Sequence, residues 1–199
     1  MSATERSYHH GDLRSALLRR TVEVIADEGT DAVSLRGLAR DLGVSHAAPA
    51  RHFASRDELL RAVVLEGAQA MVARARGAVA RAEDDAIAHL QAMGQSYLDW
   101  ALANPAHYRA MRNPEVRRGR DELQGVIAEF ATMIRGAIVR AQADGWHADG
   151  DPKVEMFRFI SSIMGAAILL TDPIYAAVEG KGEDGGRALY DDLLERLLA

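Results

Sequence analysis

Between Ser34 and Phe53 the chain reads SLRGLARDLGVSHAAPARHF, a stretch that crowds two helix starts around one helix stop. Ser34 can cap a short helix whose apolar residues Leu35, Leu38, Ala39 and Leu42 fall at i, i+3, i+4 and i+7. Gly43 permits the left-handed backbone that ends that helix, and Val44 can plug the space behind the turn. Ser45 can cap a second short helix running to about His52, and Ala39 is small where the two helices must approach closely. A helix of about eight residues, a glycine turn and a second short helix form the pattern of a helix-turn-helix, whose second helix enters the DNA major groove. Ser34 and Ser45 can each direct a helix N-terminus at a phosphate. Ser55 with Glu58 three residues later makes a capping box, opening a long helix through Leu59, Leu60, Val63 and Val64.

The remaining segments also read as helix, and none carries the alternation of a strand. Leu13, Leu17, Val24 and Ile25 line a first helix that Glu28-Gly29 ends. Ile87, Leu90, Gly94, Tyr97 and Ala101 form a later stripe, broken at Asn104-Pro105. Pro114 and the basic residues Arg117, Arg118 and Arg120 read as a connection, and Leu123 to Ala141 as an amphipathic helix. A polar turn over Ala143–Asp151 leads to Pro152, which suits a helix start. Phe157 to Leu170 is apolar on nearly all sides, which predicts burial on more than one face. A glycine-rich link, 180–186, precedes a last amphipathic helix. The fold class expected is all-α: an N-terminal three-helix helix-turn-helix domain followed by a larger helical domain, about nine helices in all. The boundaries expected are 1–55 for the head, 56–80 for a long connecting helix and 81–199 for the body.

At 199 residues the chain can bury a real core. Its net charge is −5, and residues 1–60 hold eight Arg against nine Asp and Glu, so even the head sums to about −1. DNA binding must therefore rest on where arginines are placed, not on a basic domain. The absence of cysteine excludes disulfides and thiolate chemistry. No run reaches the roughly 18 apolar residues of a membrane span, and Met1 to His10 lacks the core of a secretory signal, so a cytoplasmic protein without a membrane partner is expected. His9-His10 offers too few ligands for a metal, while His89, His107 and His147 are scattered. Glu83-Asp84-Asp85 reads as charge at a helix start. No acid, base or nucleophile converges in spacing, so neither catalytic residues, nor a metal site, nor a cofactor is expected.

The residues Ser34, Arg36, Leu38-Ala39, Gly43-Val44-Ser45, His52-Phe53 and Ser55-Arg56 together resemble the TetR family of repressors, over about residues 12–65. The resemblance implies that Ser34, Arg36, His52 and Arg56 contact the DNA backbone. His46, Ala47 and Arg51 then stand where base edges are read, Arg51 forking onto a guanine and Ala47 touching a thymine methyl. Ala50 departs from the family's tyrosine, which costs one expected phosphate contact. Pro49 forfeits one helical hydrogen bond. The arm Arg6–Gly11 is either a minor-groove reader or a disordered tail.

Tyr97–Met111 resembles a C-terminal subgroup of that family named for a Trp-His-Gly motif. Of the motif itself only Gly165 survives, within Ser161–Gly165. The resemblance implies ligand sensing and dimerisation in the body. Candidate walls of a mostly apolar ligand cavity are Tyr97, Trp100, His107, Tyr108, Met111, Phe130, Met133, Ile134, Phe157, Ile160 and Met164, with Tyr97, His107 or Ser161 fixing the ligand's polar group. The alternative for these residues is a filled core. For a two-helix contribution to a dimer, about 153–178 and 186–198, the candidates are Ile160, Met164, Ile168, Leu189, Leu193 and Leu197. The implied function is a ligand-responsive transcriptional regulator, a repressor that binds a palindromic operator as a homodimer and is released by a small, largely apolar molecule. The rival is a small-molecule or protein-binding helical module with a non-functional DNA-binding head.

Overall fold

The computed structural model describes residues 10–117, 121–172 and 183–199, and among these every regular element is helical. Arg6 to His9 of the arm, Arg118 and Arg120, and the start of the glycine-rich link lie outside the described residues. The chain forms two compact units: Met1–Gly67 with Ala106–Gly119, and Ala68–Pro105 with Arg120–Ala199. The division therefore falls inside the long helix expected at 56–80 and gives residues 106–119 to the first unit, where a simple 1–55 head was expected.

In the first unit, α1 (His10–Glu28) ends at Gly29 and a 3-10 turn, Thr30–Ala32, leads to α2 (Leu35–Asp41). Helix α3 (Arg56–Val79) starts here, and α5 (Pro105–Arg112) and α6 (Pro114–Arg117) contribute most or all of their length. Both are short helices begun by a proline, α5 by the Pro105 that broke the preceding stripe and α6 by Pro114, where the sequence suggested only a connection. Leu17, Ile25, Leu38, Ala39, Phe53, Leu59, Leu60 and Val63 fill the core of this unit. Arg109 donates from Nη1 to the Ile25 carbonyl at 2.7 Å, satisfying the open end of α1.

The second unit is built on α4 (Ala86–Ala103), packed against α7 (Asp121–Ala143), α8 (Pro152–Thr171) and α9 (Glu183–Leu198). Asp85 caps α4 by accepting from the Ala88 amide at 2.7 Å, and Asp151 caps α8 ahead of Pro152. Gly94 is the narrow point of α4: a Cβ there would stand 3.0 Å from both the Tyr190 hydroxyl and Leu194, so glycine lets α9 come close. Helix α9 starts at Glu183, earlier than the link predicted, and runs through Gly185-Gly186.

Helix α8 corrects a second expectation. Only Glu155, Phe159, Ile163 and Ala167 are buried, while Val154, Phe157, Met164 and Leu169 are exposed. A helix that is apolar all round is thus covered on one face among the described residues.

Candidate nucleic-acid interface

The reading segment is held by its two ends. Ser34 accepts a hydrogen bond from the Gly37 amide at 3.1 Å, so α2 begins where the sequence placed it. At its other end Gly43 adopts φ +67, its amide reaches the Arg40 carbonyl at 3.1 Å, and the Val44 N–H reaches the Ala39 carbonyl at 3.0 Å. That pair of bonds is a Schellman stop, which needs a residue free of the Cβ penalty at Gly43. Arg20 on α1 holds Asp41 at 3.1 Å and so fixes α2 from behind.

Beyond the stop the structure differs from the expected second helix. The segment Ser45–His52 is a run of turns ending in a 3-10 turn at Pro49–Arg51, with the Ala48 N–H on the Ser45 carbonyl at 2.9 Å. Proline supplies the cause: with no N–H, Pro49 cannot bond back to Ser45, and the α-helical ladder loses its first rung. Ser45 consequently caps no α-helix. Pro49 and Phe53 are buried and anchor the turn, Phe53 beneath Arg14, whose guanidinium sits 5.3 Å from the ring centre. Ser45, His46, Ala47, Ala50 and Arg51 are exposed around those anchors, and His52 is half-buried. Arg36 is exposed on α2, and neither it nor Arg51 has an ion-pair partner among the described residues.

Arg56 departs from its expected place. Its Nε donates to the Val33 carbonyl at 3.0 Å and its Nη2 to the Thr30 carbonyl at 2.8 Å, with Asp31 at 3.6 Å. The side chain is a strut under the entry to α2, with two of its donors committed to backbone carbonyls. The expected capping box is present in half: Ser55 accepts from the Glu58 N–H at 3.1 Å, while Glu58 reaches one residue further back and accepts from the Ala54 N–H at 2.7 Å.

The candidate ligand residues separate into three places. Tyr97, Trp100, Phe130 and Ile134 are buried in the second unit, with Met133 half-buried beside them. Tyr97 stacks on Phe130 at 6.0 Å between ring centres. His107 and Met111 belong to the first unit, where His107 packs against α3 at Gly67, 3.0 Å from the position a Cβ would take there. Burial lowers the pKa of His107 and Glu66 opposes the shift. Phe157, Ser161 and Met164, expected as cavity walls, are exposed on the outer stripe of α8, Phe157 by 73 %, and among the described residues they line no interior wall. Along that stripe Ile160 and Ile168 are half-buried, while α9 exposes Leu189 and Leu193 and half-buries Leu197.

Two features escaped the sequence. Tyr190 is buried against Gly94, its hydroxyl has no partner among the described residues, and burial pushes its pKa up. Asp99 is shared between Arg74 and Arg187, which ties α3 and α9 to α4. Gly94 within an otherwise bulky stripe was the available signal for the first; spacing holds none for the second.

Set beside known proteins, residues 17–63 match the family of bacterial regulatory proteins of tetR type, and residues 90–197 match the tetracyclin repressor-like C-terminal domain. The chain belongs to the TetR family. It is 30% identical over 157 residues to HTH-type transcriptional regulators of Mycobacterium bovis and Mycobacterium tuberculosis, covering 73% of this chain and 64% of each of those proteins. The chain thus spans under two thirds of the length of these relatives. A protein of unknown function from Rhodococcus sp. RHA1 superposes with a TM-score of 0.78 at 30% identity, covering 96% of this chain and 98% of that one. A TetR family transcriptional regulator from Thermus thermophilus shares the fold, with a TM-score of 0.70 at 21% identity over 90% of this chain and 97% of that one. The chain thus carries the N-terminal and C-terminal domains of this family, with the all-α architecture its sequence predicted.

Proposed function

We propose that this regulator is a ligand-responsive repressor that binds a palindromic operator as a homodimer. The observation that carries the reading is the turn 45–51, in which His46, Ala47 and Arg51 face solvent around the buried anchors Pro49 and Phe53. Arg51 is free to fork onto a guanine, Ala47 is small enough to meet a thymine methyl, and Ser34 and Arg36 stand toward the flanking phosphates. His52 supplies a further backbone contact from its half-exposed position.

The dimer reading rests on the outer apolar stripe of the second unit. Phe157, Met164, Leu189 and Leu193 are each at least 40 % exposed on two helices that pack together, and large exposed apolar side chains gathered on one surface mark interfaces. Pairing α8 and α9 about a two-fold axis covers Ile160, Ile168 and Leu197 with them and presents two turns to two half-sites. The small-molecule effector acts by preferring the conformation whose turns are misplaced on the operator; a tenfold release needs about 1.4 kcal/mol of such preference. The buried aromatic group around Tyr97, Trp100, Phe130, Met133 and Ile134 is where we place the apolar part of that molecule.

The rival, a binding module whose head no longer reads DNA, draws on one observation: the reading element is a 3-10 turn with Ala50 exposed. Incubating the protein with fragmented genomic DNA of its source at low and moderate salt separates the two. A regulator enriches a few palindromic fragments and loses them with rising salt, whereas the module retains none at either salt.

A further inference from the structure

The second unit holds a concave surface that none of these roles uses. Helices α3 and α4 border an open groove of about 520 Å³, floored by Ala73, Gly77 and Ala78 of α3, Ala82 of the turn just beyond it, and Ala92 of α4. From Ala73 to Ala82 the floor runs about 13 Å at the rise of an α-helix. The volume lies in the range of small-molecule sites, roughly 300–1,000 Å³. A docked helix, about 10 Å across, would need roughly twice this space over the same length, so the groove suits a slim chain.

Its charged groups are unevenly matched. Asp99 is already shared by Arg74, at 3.3 Å, and Arg187. Arg81 has no ion-pair partner among the described residues, and its Nη1 lies 3.2 Å from where a Cβ of Gly77 would be. The guanidinium is thus folded along the floor. Of the acids that follow it, Glu83 is exposed and makes no ion pair with Arg81, Asp84 is held by Arg140 at 3.0 Å and Asp85 caps α4. The Ser96 hydroxyl is turned to the Met93 carbonyl at 2.9 Å. What the groove offers an incoming group is therefore a fork-shaped cation without an ion-pair partner among the described residues, above alanine and glycine positions and beside the Gln95 amide, and a guanidinium fork recognises a carboxylate.

We propose that this groove binds an organic carboxylate with a slim, unbranched apolar body, the carboxylate on Arg81 and the body along the alanine and glycine floor. The site stands apart from the buried Tyr97 and Phe130 group and is independent of the DNA-binding reading.

Alanine-methyl NMR on the full chain tests it, with sodium octanoate as the probe and octanamide as its uncharged twin. Octanoate should shift the methyl signals of Ala73, Ala78, Ala82 and Ala92 saturably and bind about tenfold more tightly than octanamide. Arg81→Gln, at an exposed position, should bring octanoate down to the level of the amide. Gly77→Leu should weaken both, since its side chain meets only the flexible end of Arg81 and then fills the groove. Equal binding of acid and amide, octanoate binding unmoved by Arg81→Gln, or saturable shifts confined to alanines outside the groove such as Ala137 would each overturn the proposal.

Discussion

Arg51 and Arg56 stand five positions apart in one motif, and the structure gives them opposite tasks. Arg51 is exposed and without an ion-pair partner among the described residues, whereas Arg56 serves two backbone carbonyls of the segment that feeds α2. Arg56→Ala should therefore lower stability by about 1–2 kcal/mol, read as a shift in the urea midpoint, since two charge-assisted hydrogen bonds on a half-buried side chain are lost. Arg51→Ala should leave the midpoint within about 0.5 kcal/mol and act on DNA binding alone. The sequence made both residues legible as motif members. It could not show which way a guanidinium turns, because the partners of Arg56 lie at Thr30 and Val33, in a 3-10 turn and its cap that only the fold brings near. His107 adds a pH dependence at the same scale. Burial against Gly67 holds its folded pKa below the ordinary 6.5, so the unfolded chain binds more protons once the pH falls below that value. Stability should thus be fully present above pH 6.5 and decline as the pH is lowered past it. The His107→Gln variant should show a flatter decline between about pH 7.5 and about pH 5.5, and identical slopes would refute this assignment.

Among the elements, α8 and the turn 45–52 show how far pattern reading reaches. The existence and caps of α2, α3 and α4 follow from Ser34, Gly43, Ser55 and Asp85, whose effects are local and so are written in consecutive residues. Helix α8 is legible as a helix, from Asp151-Pro152 onward, but not as a half-covered one. Hydropathy does not tell which face of an apolar helix is covered, which is why Phe157 and Met164 read as cavity walls from sequence. On the outer stripe they suggest a direct test. Phe157→Arg and Leu193→Arg, each on the exposed side of its helix, should give a folded monomer by light scattering with unchanged helical content. A dimer that survives both substitutions places the interface elsewhere. The turn 45–52 fails as a helix for a chemical reason present in the sequence, the missing N–H of Pro49, whose cost in so short an element exceeds a single lost bond.

For the molecule as a whole, the all-α class and the order of head and body are readable from periodicity, while the partition is not. Residues 106–119 return to the first unit through contacts distant in sequence, such as Arg109 with Ile25 and Asn113 with Thr30, which no window along the chain contains. A net charge of −5 further means that the chain as a whole does not draw in DNA, so the operator binding we propose requires a few placed contacts, doubled in the proposed dimer. The measurement that tests this most directly is a fluorescence-anisotropy titration of an enriched palindromic duplex, of the same duplex with one half-site scrambled, and of a fully scrambled control, at two salt concentrations. The account predicts two chains per intact palindrome, affinity that falls steeply with salt, and much weaker binding to the single half-site, with Arg51→Ala reduced to the level of the scrambled control. Equal affinity for all three duplexes, or for the palindrome with and without Arg51, would contradict it.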